Sequence, residues 1–351
     1  MENRLAFSGE RSWSRLMRAG LMCLPALAVL ACGGGGGGGG GGAPAAPSAA
    51  ALVITAANAP AVAAEALETV TSTDAATAGG QFVTGVQIEG GGGSRPQLLA
   101  SASLALLARP QASSTLAAGA VVSQACTGGG TISVDATTSG AASMVAGDSL
   151  RITASNCSES VDGTPTVLNG RMSIAVTSGS YDPNSPVYPK SVTLRIVSSS
   201  FSVGASGQTE VFDGDLTLAL TDTTATSGTL TATSASLSST VGARRITLGD
   251  YRLQVTHTSV DSALSVSANV ESNNGQLAST PVRYTLTTET PVKVTSAGLV
   301  TAGSIRVSGS SSSLLLTVTS TDAFSLRVDS NGDGTIDSTR TITKADLQAL
   351  N

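Results

Sequence analysis

From residue 131 onward, apolar and polar residues alternate along much of the chain. Leu150, Ile152 and Ala154, for example, are separated by Arg151 and Thr153. The same alternation returns within residues 172–176, 192–196, 216–220, 282–286, 305–307 and 324–328. A period of two is typical of half-buried strands, and a single apolar face favours antiparallel pairing because parallel strands are usually apolar on both faces. The pattern predicts an all-β fold, an antiparallel meander of long strands that forms an open curved sheet or a sandwich.

A short phrase, glycine-x-apolar-x-apolar, recurs within this alternating region. Copies begin at Gly130, Gly170, Gly214 and Gly303, and a degenerate copy begins at Ser262. The intervals between them, roughly 40–48 residues, leave room for two or three strands each, and a propeller blade has a similar length. Two interpretations remain open, a true internal repeat and the chance recurrence of amphipathic strands that start with glycine.

Three segments have the features of helices. Residues 60–71 follow Asn58, a residue type that caps helices, and residues 97–109 are apolar around much of their circumference. Both are shorter than the roughly 20 residues that a membrane span needs, so we expect them to pack on the apolar face of the sheet. Thr343, followed three residues later by Asp346, predicts a short C-terminal helix with a capping box.

The N-terminus differs in composition from the rest of the chain. Residues 1–20 carry four arginines against two glutamates, and residues 21–31 contain no charge. A basic segment followed by a short apolar segment and a small residue is typical of a secretory signal peptide, and eleven residues are too few to cross a bilayer. We therefore expect residues 1–31 to be a signal peptide.

The four residues from Val29 to Cys32, Val-Leu-Ala-Cys, resemble the lipobox of bacterial lipoproteins. The resemblance implies cleavage before Cys32, acylation of that cysteine and attachment to the membrane through its acyl chains. In that family, an aspartate directly after the acylated cysteine keeps the protein in the inner membrane. This chain has Gly33 and Gly34 at these positions instead. The resemblance therefore implies a lipid anchor in the outer membrane, with the body facing the periplasm or the cell surface.

A run of ten glycines, residues 33–42, follows Cys32 and leads into an Ala/Pro-rich stretch. Such a segment buries nothing and loses much backbone entropy when ordered, so residues 32–57 are predicted to be a lipidated flexible tether. A random coil of about 25 residues spans roughly 25–30 Å. The remaining chain divides into a helical or irregular segment, residues 58–118, and an antiparallel β domain, residues 119–351, that ends in the short helix.

Cysteine count and charge narrow the class of protein further. Once Cys23 is removed with the signal peptide and Cys32 is acylated, Cys126 and Cys157 remain, and an even pair in an exported chain predicts a disulfide. The formal net charge of the whole chain is −5. This balance excludes a general nucleic-acid-binding role, which requires a basic surface.

Catalytic chemistry is sparse in this sequence. His257 is the only histidine, and it shares the strand parity of Tyr251, Leu253 and Val255. We therefore expect a structural histidine at the end of a strand rather than a catalytic base, and no catalytic residue is predicted.

One segment, residues 329–337 (DSNGDGTID), resembles the calcium loop of EF-hands and dockerins. Arg340, however, occupies the twelfth position, where that loop has a bidentate glutamate, so any calcium would be weakly bound and structural. The alternative is an unliganded hairpin turn. We predict that the protein requires no cofactor. If the loop binds one calcium ion, its predicted ligands are Asp329, Asn331, Asp333, Thr335 and Asp337.

These features predict a membrane-anchored envelope lipoprotein whose body is a non-catalytic binding or structural module with a protein or lipid partner. An alternative is that a curved sheet offers its aliphatic face to an acyl chain, with a helix as lid. A third hypothesis, an envelope enzyme, would need a pair of carboxylates at catalytic distance in a cleft.

Overall fold

The computed structural model of the chain describes residues 48–71, 96–108, 121–139, 143–161, 164–182, 187–205, 207–295 and 299–350. All of these residues belong to one compact unit, Pro47–Asn351. The predicted signal peptide, Cys32 and most of the predicted tether lie outside the described residues.

The described chain contains three helices and sixteen strands. The helices are α1 (Ala59–Thr71), α2 (Pro96–Ala108) and α3 (Lys344–Gln348). The strands are β1 (Ala50–Ala51), β2 (Val121–Ala125), β3 (Thr131–Thr137), β4 (Met144–Val145), β5 (Ser149–Val161), β6 (Thr164–Tyr181), β7 (Lys190–Ala205), β8 (Gln208–Thr224), β9 (Ser227–Val241), β10 (Arg244–His257), β11 (Asp261–Ser272), β12 (Val282–Thr295), β13 (Val300–Ser308), β14 (Ser313–Ser320), β15 (Ala323–Asp329) and β16 (Ser338–Thr343).

The strands form one open antiparallel meander. From β5 to β16 each strand pairs with the next in the chain, and β3 and β2 extend the sheet beyond β5. Two short strands lie off this path, because β1 pairs in parallel with β12 and β4 pairs with β6. The predicted all-β antiparallel meander is confirmed, and the sheet is open.

One face of the sheet is buried and the other is exposed, as the alternation predicts. Leu194, Leu218, Ala232 and Leu253 are cross-strand neighbours on β7 to β10, and all four are buried. Burying one leucine side chain stabilises the fold by about 1.5–3 kcal/mol, so long rows of such residues supply much of the driving force.

Two helices cover parts of the buried face. α1 contacts β11 to β15, and α2 contacts β7 and β8. Val62, Ala66 and Val70 of α1 are fully buried, and the small alanine side chains bring the helix close to the sheet. Both helices and the capping box that joins Thr343 to Asp346 at the start of α3 are confirmed. None of the helices in the described ranges combines the length and hydrophobicity required to cross a membrane.

The folded body begins earlier than the predicted end of the tether at residue 57. Ala50 and Ala51 form β1, and Leu52 and Ile54 are buried. The backbone N–H of Ile54 donates to Ser312 Oγ at 2.8 Å, and the carbonyl of Leu52 accepts a hydrogen bond from the backbone of Ser310. Alternation at residues 52–54 buries two aliphatic side chains, which together with these hydrogen bonds hold this stretch on the sheet.

Glycines of the recurring phrase lie where one strand bulges against its neighbour. Gly170 has φ +95° and Gly214 has φ +127°, a region that favours glycine. A Cβ at Gly170 would lie 2.1 Å from the carbonyl oxygen of Ser200. Asp213, next to Gly214, accepts a hydrogen bond of 2.6 Å from the backbone N–H of Ser200, which itself has φ +49°. At these two glycines the phrase thus marks β-bulges, which increase the local twist of a sheet.

Ser262, the degenerate copy, has a different position. It lies at the start of β11, opposite His257, and the register irregularity of β11 comes later, between Leu264 and Ser267. Ser262 therefore does not lie at a β-bulge, unlike Gly170 and Gly214.

Candidate functional site

A buried carboxylate fixes α1 to the sheet. The side chain of Glu65 is fully buried and accepts hydrogen bonds from Arg244 Nη2 and Tyr284 Oη, each at 2.7 Å. Asn274 Nδ2 donates to it at 3.0 Å and Ser272 Oγ at 3.1 Å. We call these five residues the Glu65 cluster. It satisfies a charge that would be very costly to bury alone.

The electrostatics of the Glu65 cluster are those of a structural anchor. Burial raises the pKa of Tyr284 well above its usual value, and the negative charge of Glu65 is the next largest cause. The Tyr284 hydroxyl therefore stays protonated and donates its hydrogen bond to Glu65. Glu68, one helical turn further along α1, lies 3.7 Å from the same Arg244. The sequence analysis did not identify this cluster. The available signal was a pair of glutamates in a helix otherwise rich in alanine and valine.

A second polar group lies along the inward face of β7 to β11. Five residues are successive cross-strand neighbours: Lys190, Asp222, Gly228, His257 and Ser262. We call them the Asp222–His257 row. Two residues further into the sheet, the equivalent neighbours are all buried and aliphatic: Val192, Leu220, Leu230, Val255 and Leu264. The inward face therefore changes from apolar to polar in one step.

Charges within the Asp222–His257 row influence one another. Burial raises the pKa of Asp222, and the positive charges of His257 and Lys190 partly oppose that effect. Burial lowers the pKa of His257, while the Asp222 carboxylate acts in the opposite direction. Tyr181, at the end of β6, has its pKa raised to about 12 by burial and then by Asp222. These four half-buried groups thus share one electrostatic environment.

His257 occupies the position that the sequence predicts. It is the last residue of β10, and Tyr251, Leu253 and Val255 of the same parity are buried. Sequence reasoning did not place Asp222 beside it, because Asp222 and His257 lie on strands separated by β9.

The predicted calcium loop connects β15 to β16. Asp329 is buried, and its two carboxylate oxygens accept backbone N–H groups from Gly332 at 2.7 Å and Gly334 at 3.0 Å. Asp337 accepts the backbone N–H of Ser330 at 2.8 Å. Backbone donors therefore hold both ends of the loop in place.

The middle of this loop is folded by the same kind of bond. Asp333 accepts the backbone N–H of Thr335 at 2.7 Å, and this bond is the main reason why the pKa of Asp333 is lowered. Asn331 Oδ1 accepts the backbone N–H of Asp333 at 3.0 Å. Arg340, at the twelfth position, lies in β16 opposite Leu326. The geometry matches the hairpin connection that was the alternative, and calcium binding remains a prediction.

Adding calcium provides the test of this loop. Without the twelfth-position glutamate we expect a weak calcium site, with a dissociation constant of roughly 10⁻⁴–10⁻³ M. If calcium binds with this affinity, a concentration of about 2–5 mM should stabilise the fold by about 0.5–1.5 kcal/mol. For a domain of this size the thermal midpoint should then rise by roughly 1–4 °C relative to EGTA. Asp333→Ala should abolish the rise. Identical midpoints with calcium and with EGTA would leave a plain turn.

The predicted disulfide between Cys126 and Cys157 is confirmed, with 5.4 Å between the two Cα atoms. It joins the end of β2 to β5, beside a backbone hydrogen bond of 2.8 Å from Gly128 to Ser158. Closing a loop of this length removes unfolded-state entropy equivalent to roughly 3–4 kcal/mol. Among the described residues, the group with metal-ligand spacing comprises these cysteines and Glu159, and the disulfide takes up both sulfur atoms.

Two of the four groups described above, the disulfide and the Glu65 cluster, hold elements of the fold together, and the loop at residues 329–337 is closed by its own backbone. The Asp222–His257 row is the arrangement that fits a ligand site best, because a carboxylate, an imidazole and an ammonium group lie along one half-buried row of the sheet. Comparisons with protein families, with curated proteins and with solved structures found no match to this chain.

Proposed function

We propose that this protein is a lipid-anchored lipoprotein of the cell envelope, in the outer membrane, whose β body is a non-catalytic binding or structural module. The observation that carries the proposal is the order of segments before the body. A signal-like segment, the quartet ending at Cys32 and ten glycines precede the body, and among the described residues burial begins at Ala49. This order suits a folded module held at a distance from a membrane.

The exposed face of the sheet supports a binding or structural role. Outward-facing cross-strand neighbours on β7 to β11 are Arg195, Thr217, Thr233, Arg252 and Ser267. Hydroxyl and guanidinium groups on a regular sheet can form many hydrogen bonds with a partner, and the long strands make this face extensive. A partner would therefore be recognised through polar contacts on the outward face.

The alternative, in which the apolar face holds an acyl chain, receives less support. That face carries α1 and α2, and Val62, Leu99 and Leu104 of these helices are buried against it. An acyl chain would need to displace one of the helices. The Glu65 cluster opposes such a displacement of α1, because it would separate a buried carboxylate from its donors.

The test of the anchor is substitution of Cys32. We expect Cys32→Ser to abolish acylation and to move the protein from the detergent phase to the aqueous phase in phase separation of cell extracts. Metabolic labelling with a fatty acid should mark the wild type and not the variant. Cys23→Ser is the matched control, since it changes a cysteine in the predicted signal peptide and should leave labelling intact.

Retention of Cys32→Ser in the detergent phase would contradict the proposal, because another segment would then have to be the anchor. Loss of labelling in Cys23→Ser as well would show that the apolar segment rather than the lipobox cysteine controls processing.

A further inference from the structure

In the Asp222–His257 row, a residue without a side chain lies between two possible metal ligands. Gly228 on β9 separates Asp222 on β8 from His257 on β10, and it has no side chain. A Cβ at Gly228 would lie 2.9 Å from Asp222 Oδ1. Asp222 Oδ1 therefore lies close to the backbone of Gly228, the residue that separates it from His257 on β10.

The distances across the sheet suit a shared ion. Neighbouring strands lie about 4.8 Å apart, so the backbones of Asp222 and His257 are separated by about 10 Å across β9. Carboxylate and imidazole side chains that extend from both sides can span this separation, with about 2 Å from each ligand atom to the ion. A Cβ at Gly228 would also lie 2.5 Å from the carbonyl oxygen of Thr221, so the backbones of β8 and β9 approach closely at this point.

We propose that Asp222 and His257 form a binding site for a divalent transition metal ion of the zinc type. Imidazole nitrogen and carboxylate oxygen are both common zinc ligands, whereas magnesium and calcium select oxygen ligands alone. Both residues are half-buried at the edge of the apolar interior, so water can complete the coordination. The site does not depend on the proposed membrane anchor.

The surroundings favour a small ion over an amphiphile. Directly below the row, Leu220, Leu230 and Val255 are buried and occupy the interior, so the tail of a lipid would have to displace them. Burial disfavours the charged forms of both Asp222 and His257, as the directions of their pKa shifts indicate. A bound cation would stabilise the carboxylate and would use the neutral imidazole, which is the form that burial already favours.

Lys190 sets the strength of the site. It is the neighbour of Asp222 on the side away from Gly228, and its Nζ lies 5.0 Å from the centroid of the Tyr188 ring. Its positive charge interacts with Asp222 and competes with a bound cation. Removing this charge should therefore tighten metal binding, an effect that a purely structural role for Asp222 and His257 would not produce.

The experiment uses the full purified chain without a histidine tag, so that His257 remains the only imidazole. Zn²⁺ is titrated while the imidazole NMR signals of His257 and the thermal midpoint are recorded. We expect saturable shifts of the His257 signals and a rising midpoint. Asp222→Asn and His257→Gln should each weaken binding at least ten-fold, and Lys190→Met should tighten it several-fold. Mg²⁺ should leave the His257 signals unchanged.

Asp215→Asn is the matched control, because Asp215 lies on the same strand but on the outward face, 3.8 Å from Arg195. Its affinity for Zn²⁺ should equal that of the wild type. His257 signals that stay unchanged at millimolar Zn²⁺ in the wild-type protein would overturn the proposal, whatever the folding of the variants. An equal loss of Zn²⁺ affinity in Asp215→Asn and Asp222→Asn would also overturn the proposal. Neither result bears on the anchor, which the Cys32→Ser experiment tests separately.

Discussion

Glu65→Ala should lower the free energy of unfolding by about 3–5 kcal/mol, the range observed when one partner of a buried ion pair is removed. The substitution leaves the Arg244 guanidinium, whose side chain is only 16% exposed, without its 2.7 Å partner. It also removes the acceptor of the Tyr284 hydroxyl and of Asn274 Nδ2. Urea unfolding followed by circular dichroism measures the change.

The matched control is Glu289→Ala, which removes the partner of Arg306. That ion pair lies on the exposed face, with side chains 39% and 42% exposed, so its loss should cost no more than about 1 kcal/mol. Similar losses in the two variants would contradict the view that Glu65 anchors α1. A Glu65→Ala protein with native stability would contradict it as well.

Gly214→Ala should destabilise the protein by about 3 kcal/mol through two separate effects. At φ +127° a residue with a Cβ is strained, which alone costs about 1–2 kcal/mol. The new Cβ would also lie 2.4 Å from the carbonyl oxygen of Ser236, a backbone atom that cannot move without disturbing the pairing of β8 with β9. Thermal unfolding of the purified variant provides the measurement.

Gly129→Ala separates these two effects. Gly129 has φ +106°, similar to Gly214, but nothing lies within 4 Å of a Cβ built there. It should show the conformational cost without the clash, and so a smaller loss than Gly214→Ala. If the two variants lose the same stability, the close approach of Gly214 to β9 contributes nothing.

Local patterns of sequence determined several features without reference to the rest of the chain. Alternation such as Leu150, Ile152 and Ala154 specified half-buried strands, because successive side chains on a strand point to opposite faces. The two longer helices, the capping box at Thr343 and the pairing of Cys126 with Cys157 were predictable for similar reasons. Each depends on residue types within a short window, or on the count of one residue type.

Contacts between distant residues were decided by the tertiary structure. Glu65 meets Arg244 across 179 positions of sequence, and its partners come from three strands, β10, β11 and β12, and from the loop after β11. Whether Asp222 faces His257 depends on the register of β8, β9 and β10. The irregularity after Gly214 changes the pairing of β8 with β9, because each extra residue in a bulge shifts the pairing beyond it, whereas β9 and β10 pair without a shift.

The start of the folded body was decided in the same way. Residues 48–51 continue the alanine-rich composition of the predicted tether, and the accommodation of Leu52 and Ile54 on the sheet, beside Ser310 and Ser312, makes this stretch part of the body. Sequence alone therefore determined that most of the body consists of alternating strands and where the two longer helices lie, since periodicity and capping act over a few residues. Which side chains meet follows from strand register and helix docking, which the whole chain sets together.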